Sequence, residues 1–266
     1  MKKNILILAS LNASVSAFAQ FVEVDTFDSY TAGSSASAQS ANWTTTGGSN
    51  TVVDFSGNNA ITVDANGDGV RYNNGSVFST PNNSLSTTFF QVYLASDADG
   101  SSAQDFRILD TDSTSQDGSQ AGVRFRVTSG GTAIQTLLRT GSNDVEVELN
   151  DARISFDTLY NAWVVTNTTS DTYSLYMSTG TDAAVGMERV GQSTIASEAF
   201  QSAQTGSLDR IYLRNSSGNS TGGSYFDNIY FDASGSNLAN PVPEPSAYGL
   251  IAGALALSWV MIRRRA

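Results

Sequence analysis

The sequence predicts an all-β protein whose body folds as one antiparallel β-sandwich. Three observations lead to this prediction: short segments with alternating apolar and polar residues, clusters of Gly, Ser, Asn and Asp between them, and no sustained helical period in the body. Alternation with a period of two places the apolar side chains of a strand on one face. About a dozen such strands in a body of roughly 220 residues favour one sandwich over two domains.

The clearest strands show which face each side chain takes. In GVRFRVTS, Val123 and Phe125 share one face, whereas Arg124 and Arg126 share the other. The other strands are expected, in chain order, in TTFFQVYL, DFRIL, TAIQTLLR, DVEVELN, AWVVTN, DTYSLYMS, DRIYLRN and SYFDNIYF. We also expect a short turn of helix around residues 197–204.

The composition limits the chemistry that the chain can perform. Its 266 residues include no cysteine and no histidine, so thiol nucleophiles, thiolate zinc sites and histidine bases are absent. Between Gln20 and Pro243, nine arginines stand against 24 acidic residues. Such a body repels phosphate backbones, so nucleic acid is not an expected partner, whereas neutral glycans and divalent cations remain candidates.

The N-terminus has the pattern of a secretory signal peptide. A positively charged start is followed by the apolar residues 5–11, and the segment ends at the small residues Ala17 and Ala19. We expect residues 1–19 to form a signal helix that signal peptidase removes, leaving Gln20 as the first residue of an exported body. A buried N-terminal helix is the alternative.

Residues 241–266 combine three features: the Pro243-Glu244-Pro245 motif, the uncharged segment 247–262, and a basic tail. The tail consists of Arg263, Arg264 and Arg265. A helix over the apolar segment spans roughly 24 Å, slightly less than a bilayer core of about 30 Å. We therefore expect a transmembrane helix whose arginines stay in the cytoplasm, by the positive-inside rule.

This order of motif, helix and arginines resembles the PEP-CTERM sorting signal of bacteria, also named the ice-binding-protein C-terminal domain. The resemblance implies recognition by an exosortase in the inner membrane, removal of the tail, and release or anchoring at the cell surface. It also implies a host that makes exopolysaccharide. A plain single-pass anchor is the alternative.

The body, residues 20–233, resembles concanavalin A-like (laminin-G-like) jelly rolls, with residues 234–240 as a polar linker. The resemblance is carried by VDTFDSYTAGSS, NAWVVTNTTSDTYSLYMSTG and SYFDNIYFD. It implies that the first and last strands lie side by side and that Asp28 and Asp227 hold a structural calcium ion there. Two ordinary turn aspartates are the alternative.

A second metal candidate is DANGDG, in which Asp64, Asn66 and Asp68 take the first ligand positions of a calcium loop. The final glutamate of such a loop is replaced by Gly75. The alternative is a β-hairpin between ITVD and VRY, because Asn-Gly is a strong tight-turn dipeptide.

A catalytic candidate is EVELND, which resembles the active-site strand of laminarinase-like glycoside hydrolases. The resemblance implies that its three acids, Glu146, Glu148 and Asp151, include the two carboxylates that such hydrolysis needs. The alternative is a solvated strand face.

Aromatic residues could also form a platform for sugar rings; the candidates are Trp43, Tyr93, Trp163, Tyr173 and Tyr176. Together these features predict an exported, non-catalytic cell-surface or extracellular-matrix protein that binds exopolysaccharide. The alternatives are a carboxylate-dependent glycoside hydrolase and a purely structural matrix protein.

Overall fold

A computed structural model of the chain describes residues 20–55, 57–63, 67, 69–96, 103–111, 119–128, 133–141, 145–150, 154–217 and 224–242. These residues contain a short helix, α1 (Ala36–Gln39), and sixteen strands. The strands are β1 (Val22–Asp25), β2 (Trp43–Gly47), β3 (Asn50–Phe55), β4 (Asn58–Val63), β5 (Gly69–Tyr72), β6 (Leu85–Tyr93), β7 (Ala103–Asp110), β8 (Ser119–Val127), β9 (Ile134–Thr140), β10 (Val145–Glu148), β11 (Leu159–Asn167), β12 (Thr172–Thr179), β13 (Val185–Gly186), β14 (Glu198–Ala199), β15 (Leu208–Ser217) and β16 (Tyr225–Asp232).

The strands form two antiparallel sheets, which confirms the predicted β-sandwich. The nine-stranded sheet has the order β13-β12-β11-β6-β16-β4-β3, with β1 added to β16 and β14 added to β12. The seven-stranded sheet has the order β10-β9-β8-β7-β15-β5-β2. The first and last strands pair, as expected, with Val22 opposite Phe231.

Aromatic rings join the two sheets at the centre of the core. Phe90 of β6 stacks on Phe106 of β7, with ring centroids 3.9 Å apart. Phe226 of β16 packs against both rings, at 5.9 and 6.1 Å. Burying each such ring stabilises the fold by about 1.5–3 kcal/mol. The alternation of GVRFRVTS is confirmed, because Val123 and Phe125 lie in this core.

Two local expectations are wrong. ITVD and VRY do not form a hairpin, because β4 pairs with β3 and β16 whereas β5 pairs with β15 and β2 in the other sheet. The connection that contains Gly67 therefore passes from one sheet to the other. No helix forms over residues 197–204, because Glu198 and Ala199 pair with the edge of β12.

The segment 234–240, predicted as a linker, lies against the outer face of the nine-stranded sheet. Thr87 Oγ1 donates to Gly235 O at 2.8 Å, and Trp163 Nε1 donates to Ala239 O at 2.9 Å. Among the described residues, no helix has the length and apolar character needed to cross a membrane. The predicted signal helix, the Pro-Glu-Pro motif, the transmembrane segment and the three tail arginines lie outside these residues.

Candidate functional site

The outer face of the seven-stranded sheet gathers arginines from five strands. Each of these arginines alternates with residues that point into the core, so its side chain lies on the opposite face. We call this surface the arginine face; its arginines are Arg71, Arg107, Arg124, Arg126, Arg139, Arg210 and Arg214. They are seven of the nine arginines between Gln20 and Pro243, so an acidic body concentrates positive charge on one surface.

A buried carboxylate lies at the centre of the arginine face. The side chains of Asp105 and Arg107 are both 0 % exposed. Asp105 Oδ2 accepts from Arg107 Nε at 3.0 Å, and Asp105 Oδ1 accepts from Arg124 Nε at 2.7 Å. Arg139 Nη1 lies 3.6 Å from Asp105 Oδ2. Asp105 therefore compensates several buried guanidinium groups, which would otherwise be costly to desolvate.

A second carboxylate extends the ion pairs towards the edge strand β10. Glu146 accepts from Arg126 Nη1 at 2.8 Å and also pairs with Arg124. Burial alone would lower the pKa of Arg124, but its hydrogen bonds and ion pairs with Asp105 and Glu146 outweigh burial and raise the pKa. The ion pairs occupy both carboxylate oxygens of Glu146.

The other members of the catalytic candidate are placed differently. Glu148 is exposed, and its Oε1 accepts from Gln135 Nε2 at 3.0 Å. Asp151 lies outside the described residues. Of the three predicted acids, Glu146 therefore forms ion pairs that hold two guanidinium groups in place.

The part of the arginine face formed by β5 and β15 has a different balance of charge. Arg71 and Arg210 lie close enough that Arg210, together with burial, lowers the pKa of Arg71. Burial also lowers the pKa of Arg214, and the neighbouring Arg107 adds to this effect. The Nε of Arg214 is buried and has no hydrogen-bond partner in the described part of the chain.

Glycines let long side chains lie flat on this sheet. A Cβ on Gly69 would come within 2.5 Å of Tyr212 Oη, so the tyrosine ring occupies the space over the glycine. A Cβ on Gly122 would contact the aliphatic part of Arg139 at 3.5 Å. Because these two glycines have no side chain, Tyr212 and Arg139 can lie close to the backbone of the sheet.

Asp227, the predicted metal ligand on β16, is buried. Its carboxylate accepts from Asn58 Nδ2 at 2.5 Å, from the Asn228 backbone N–H at 2.7 Å and from Asn228 Nδ2 at 3.0 Å. Burial raises the pKa of Asp227 to about 8, and the nearby charges of Asp28 and Asp25 act in the same direction. The structure thus brings Asp28 and Asp227 within electrostatic range.

The arrangement around Asp227 does not by itself fit a calcium ion. Three N–H donors occupy the carboxylate, whereas calcium requires six to eight oxygen ligands. No group of three or more acidic side chains that could hold a metal is present among the described residues. The calcium site at Asp28 and Asp227 stays a prediction. Asp64, Asn66 and Asp68 lie outside the described residues.

The five predicted platform aromatics do not form one surface. Trp43, Trp163 and Tyr173 are buried. Tyr173 belongs to the core, and its hydroxyl lies 2.6 Å from the backbone oxygen of Arg139. Tyr93 stacks instead on Tyr225, with ring centroids 5.0 Å apart.

The sequence interpretation missed the arginine face. The alternation of Arg124 and Arg126 was its one visible sign, whereas the other arginines lie on four strands scattered between Arg71 and Arg214. A list of outward-facing residues for every predicted strand would have shown that arginine predominates among their charged residues. It would not have shown that these strands share one sheet.

No model of a known protein family matches the chain, and no curated protein sequence matches it. The fold is similar to the lectin UEA-II solved with galactose, with a TM-score of 0.50 and 11% identity over 81% of this chain and 96% of that chain. Lectin II from Ulex europaeus has a TM-score of 0.49 and 13% identity over 81% and 96%. The catalytic domain of a glycoside hydrolase family 131 protein from Coprinopsis cinerea has a TM-score of 0.48 and 10% identity over 83% and 98%. At these identities the likeness shows the fold alone: an antiparallel two-sheet β-sandwich.

Proposed function

We propose that this chain is an exported, non-catalytic protein of the cell surface or extracellular matrix, which binds a glycan through the arginine face. The observation that carries the proposal is the concentration of seven arginines on one sheet of a lectin-like sandwich. Guanidinium groups are planar and present several donors in a fixed geometry, which suits the oxygen atoms of saccharides. The ion pairs of Glu146 support binding over hydrolysis, because they place its carboxylate against guanidinium groups.

The route to the surface follows from the two ends of the sequence. Signal peptidase removes residues 1–19, and the body crosses the inner membrane. The segment 247–262 holds an intermediate in that membrane, with Arg263 to Arg265 on the cytoplasmic side. An exosortase then recognises Pro243-Glu244-Pro245 and releases the body or passes it to an anchor.

Replacing Arg263, Arg264 and Arg265 together by serine is expected to impair retention and processing of the tail. Each charge costs about 2.5–3.5 kcal/mol at the centre of a membrane helix, so the arginines oppose passage of the tail through the bilayer. The measurement is a cell fractionation with an immunoblot for the unprocessed and processed forms. The matched control replaces the same three residues by lysine, which keeps the charge; unchanged processing in the serine variant would contradict the sorting proposal.

The glycan-binding proposal is tested on an array of neutral and acidic glycans with the full-length chain in a mild detergent. Retention of at least one glycan class is expected, with a dissociation constant in a range that calorimetry can measure. A chain that retains no glycan would contradict the proposal and favour a purely structural matrix protein. Release of reducing sugar from a retained glycan would show a hydrolase instead.

A further inference from the structure

The arginine face divides into two halves with different charge balance. On the β8–β10 side, the guanidinium groups are paired with Asp105 and Glu146. On the β15–β5 side lie Arg214, Tyr212 and Arg71, where Tyr212 is directly opposite Arg71 and Arg214 directly opposite Gly69. The residue of β5 directly opposite Arg214 is therefore a glycine, which offers it no acidic side chain.

On the other neighbour of β15, strand β7, Asp105 lies directly opposite Arg214. Its Oδ1 accepts from Arg124 Nε at 2.7 Å and from Ser216 Oγ at 3.2 Å. Its Oδ2 accepts from Arg107 Nε and Arg124 Nη2, both at 3.0 Å. An ionised carboxylate has about four lone-pair sites, so other donors already fill those of Asp105.

Arg214 is thus a half-buried cation next to a saturated carboxylate. Its Nε is enclosed and unbonded within the described residues. No hydrogen bond or ion pair of Arg214 is found within the described residues, so an anionic ligand that reaches the exposed part of its guanidinium would not have to displace a protein partner. A guanidinium binds a carboxylate or sulfate through two parallel N–H···O bonds, a strong and directional interaction.

We propose that the glycan bound by this face is an acidic polysaccharide, and that one of its carboxylate or sulfate groups binds Arg214. Arg71, opposite Tyr212 on the neighbouring strand, adds positive charge beside the site. Arg210 lies four residues from Arg214 along β15, and its Nε is 3.9 Å from Asp209 Oδ1. The ring of Tyr212 covers Gly69, the residue opposite Arg214, and therefore borders the site. This inference rests on the proposed glycan-binding function and specifies its ligand.

An acidic polysaccharide fits this face better than a nucleic acid does. Duplex DNA carries one charge per about 1.7 Å and binds through 6–10 phosphate contacts in typical complexes. The arginine face offers a local cationic site, and the rest of the body is acidic and repels a dense polyanion. An acidic polysaccharide carries its charges farther apart than DNA does. It can place one anionic group at Arg214 while its neutral hydroxyls contact the rest of the arginine face.

The test compares three probes by titration calorimetry with the full-length chain: polygalacturonate, neutral dextran, and single-stranded oligothymidine. The variants are Arg214→Gln, Arg214→Lys and the control Arg189→Gln. Arg189 lies outside the face and pairs with Glu198 at 2.6 Å. Melting curves of all variants establish that each one is folded.

We expect the wild type to bind polygalacturonate more tightly than dextran, and the affinity to fall as salt rises, because salt screens exposed charges. Arg214→Gln should weaken binding by tenfold or more, Arg214→Lys by less because it keeps the charge, and Arg189→Gln by less than twofold. Equal binding of dextran and polygalacturonate, or an unchanged affinity in Arg214→Gln, would overturn this inference while leaving glycan binding intact. Preference for oligothymidine would overturn it in favour of a nucleic-acid ligand, and no binding to any polysaccharide would contradict the proposed function itself.

Discussion

Replacing Asp105 by asparagine is expected to lower the melting temperature by about 10 °C. The substitution keeps the shape of the side chain but removes the negative charge that faces Arg107 and Arg124. Removing one partner of a buried ion pair costs about 3–5 kcal/mol, because the remaining charge is left uncompensated. Each kcal/mol corresponds to roughly 2–4 °C in a domain of this size. Differential scanning calorimetry of the wild type and the variant measures the shift.

The matched control is Glu146→Gln on the same sheet. Glu146 also pairs with Arg124, but its side chain is 21% exposed. Solvent therefore screens the remaining charge, and we expect a loss of about 1 kcal/mol or less. If Asp105→Asn and Glu146→Gln shift the melting temperature equally, Asp105 is not the buried counter-ion of the arginine face.

The contribution of Asp227 to the free energy of unfolding should fall as pH rises from about 4 to about 8, and replacing Asp227 by asparagine should remove this contribution. Burial raises the pKa of Asp227 to about 8 in the folded protein, whereas an unfolded aspartate titrates near 3.9. Between these values the folded state holds a proton that the unfolded state has lost. The stabilisation from Asp227 is therefore complete below the unfolded pKa and is lost as pH approaches the folded pKa. An amide does not titrate in this range, so the free energy of unfolding of Asp227→Asn should lack this fall with pH.

The measurement is the free energy of unfolding in urea at several pH values, with Asp182→Asn as the control at an exposed aspartate that does not act on Asp227. Parallel pH profiles for the wild type and Asp227→Asn would contradict the burial argument.

The same samples test the calcium prediction: a bound ion stabilises by about 2.7 kcal/mol at a hundredfold excess over its dissociation constant. If calcium binds at Asp28 and Asp227, it should raise the melting temperature of the wild type and not of Asp227→Asn. Identical curves with calcium and with a chelator would end that prediction.

The strands were predictable because alternation is a local property. Val123 and Phe125 must share a face in any strand, whatever its neighbours are, and the same holds for Arg124 and Arg126. The pairing of the first and last strands also followed, from the resemblance of the two chain ends to jelly rolls.

Strand partners were less predictable because turn residues do not report which strand comes next in a sheet. Asn66-Gly67 suits a hairpin, yet the strands on either side enter different sheets. Likewise, the segment 197–204 has no local pattern of a strand, and it becomes extended because Glu198 and Ala199 pair with the open edge of β12. In both places, pairing between distant strands decided the local conformation.

The sequence by itself determined that the body is an acidic, all-β sandwich without cysteine or histidine, since composition and period-two alternation require no tertiary information. It also carried the predictions of export and sorting. Only the tertiary structure decided that β5, β7, β8, β9 and β15 share one sheet, and therefore that their arginines meet. Burial decided the rest: Asp105 and Asp227 are ordinary aspartates in the sequence, and the fold makes one the saturated counter-ion of buried arginines and the other a proton-binding group. Such properties depend on the distance to charges and solvent, which residues far apart in the chain create only when the two sheets have packed.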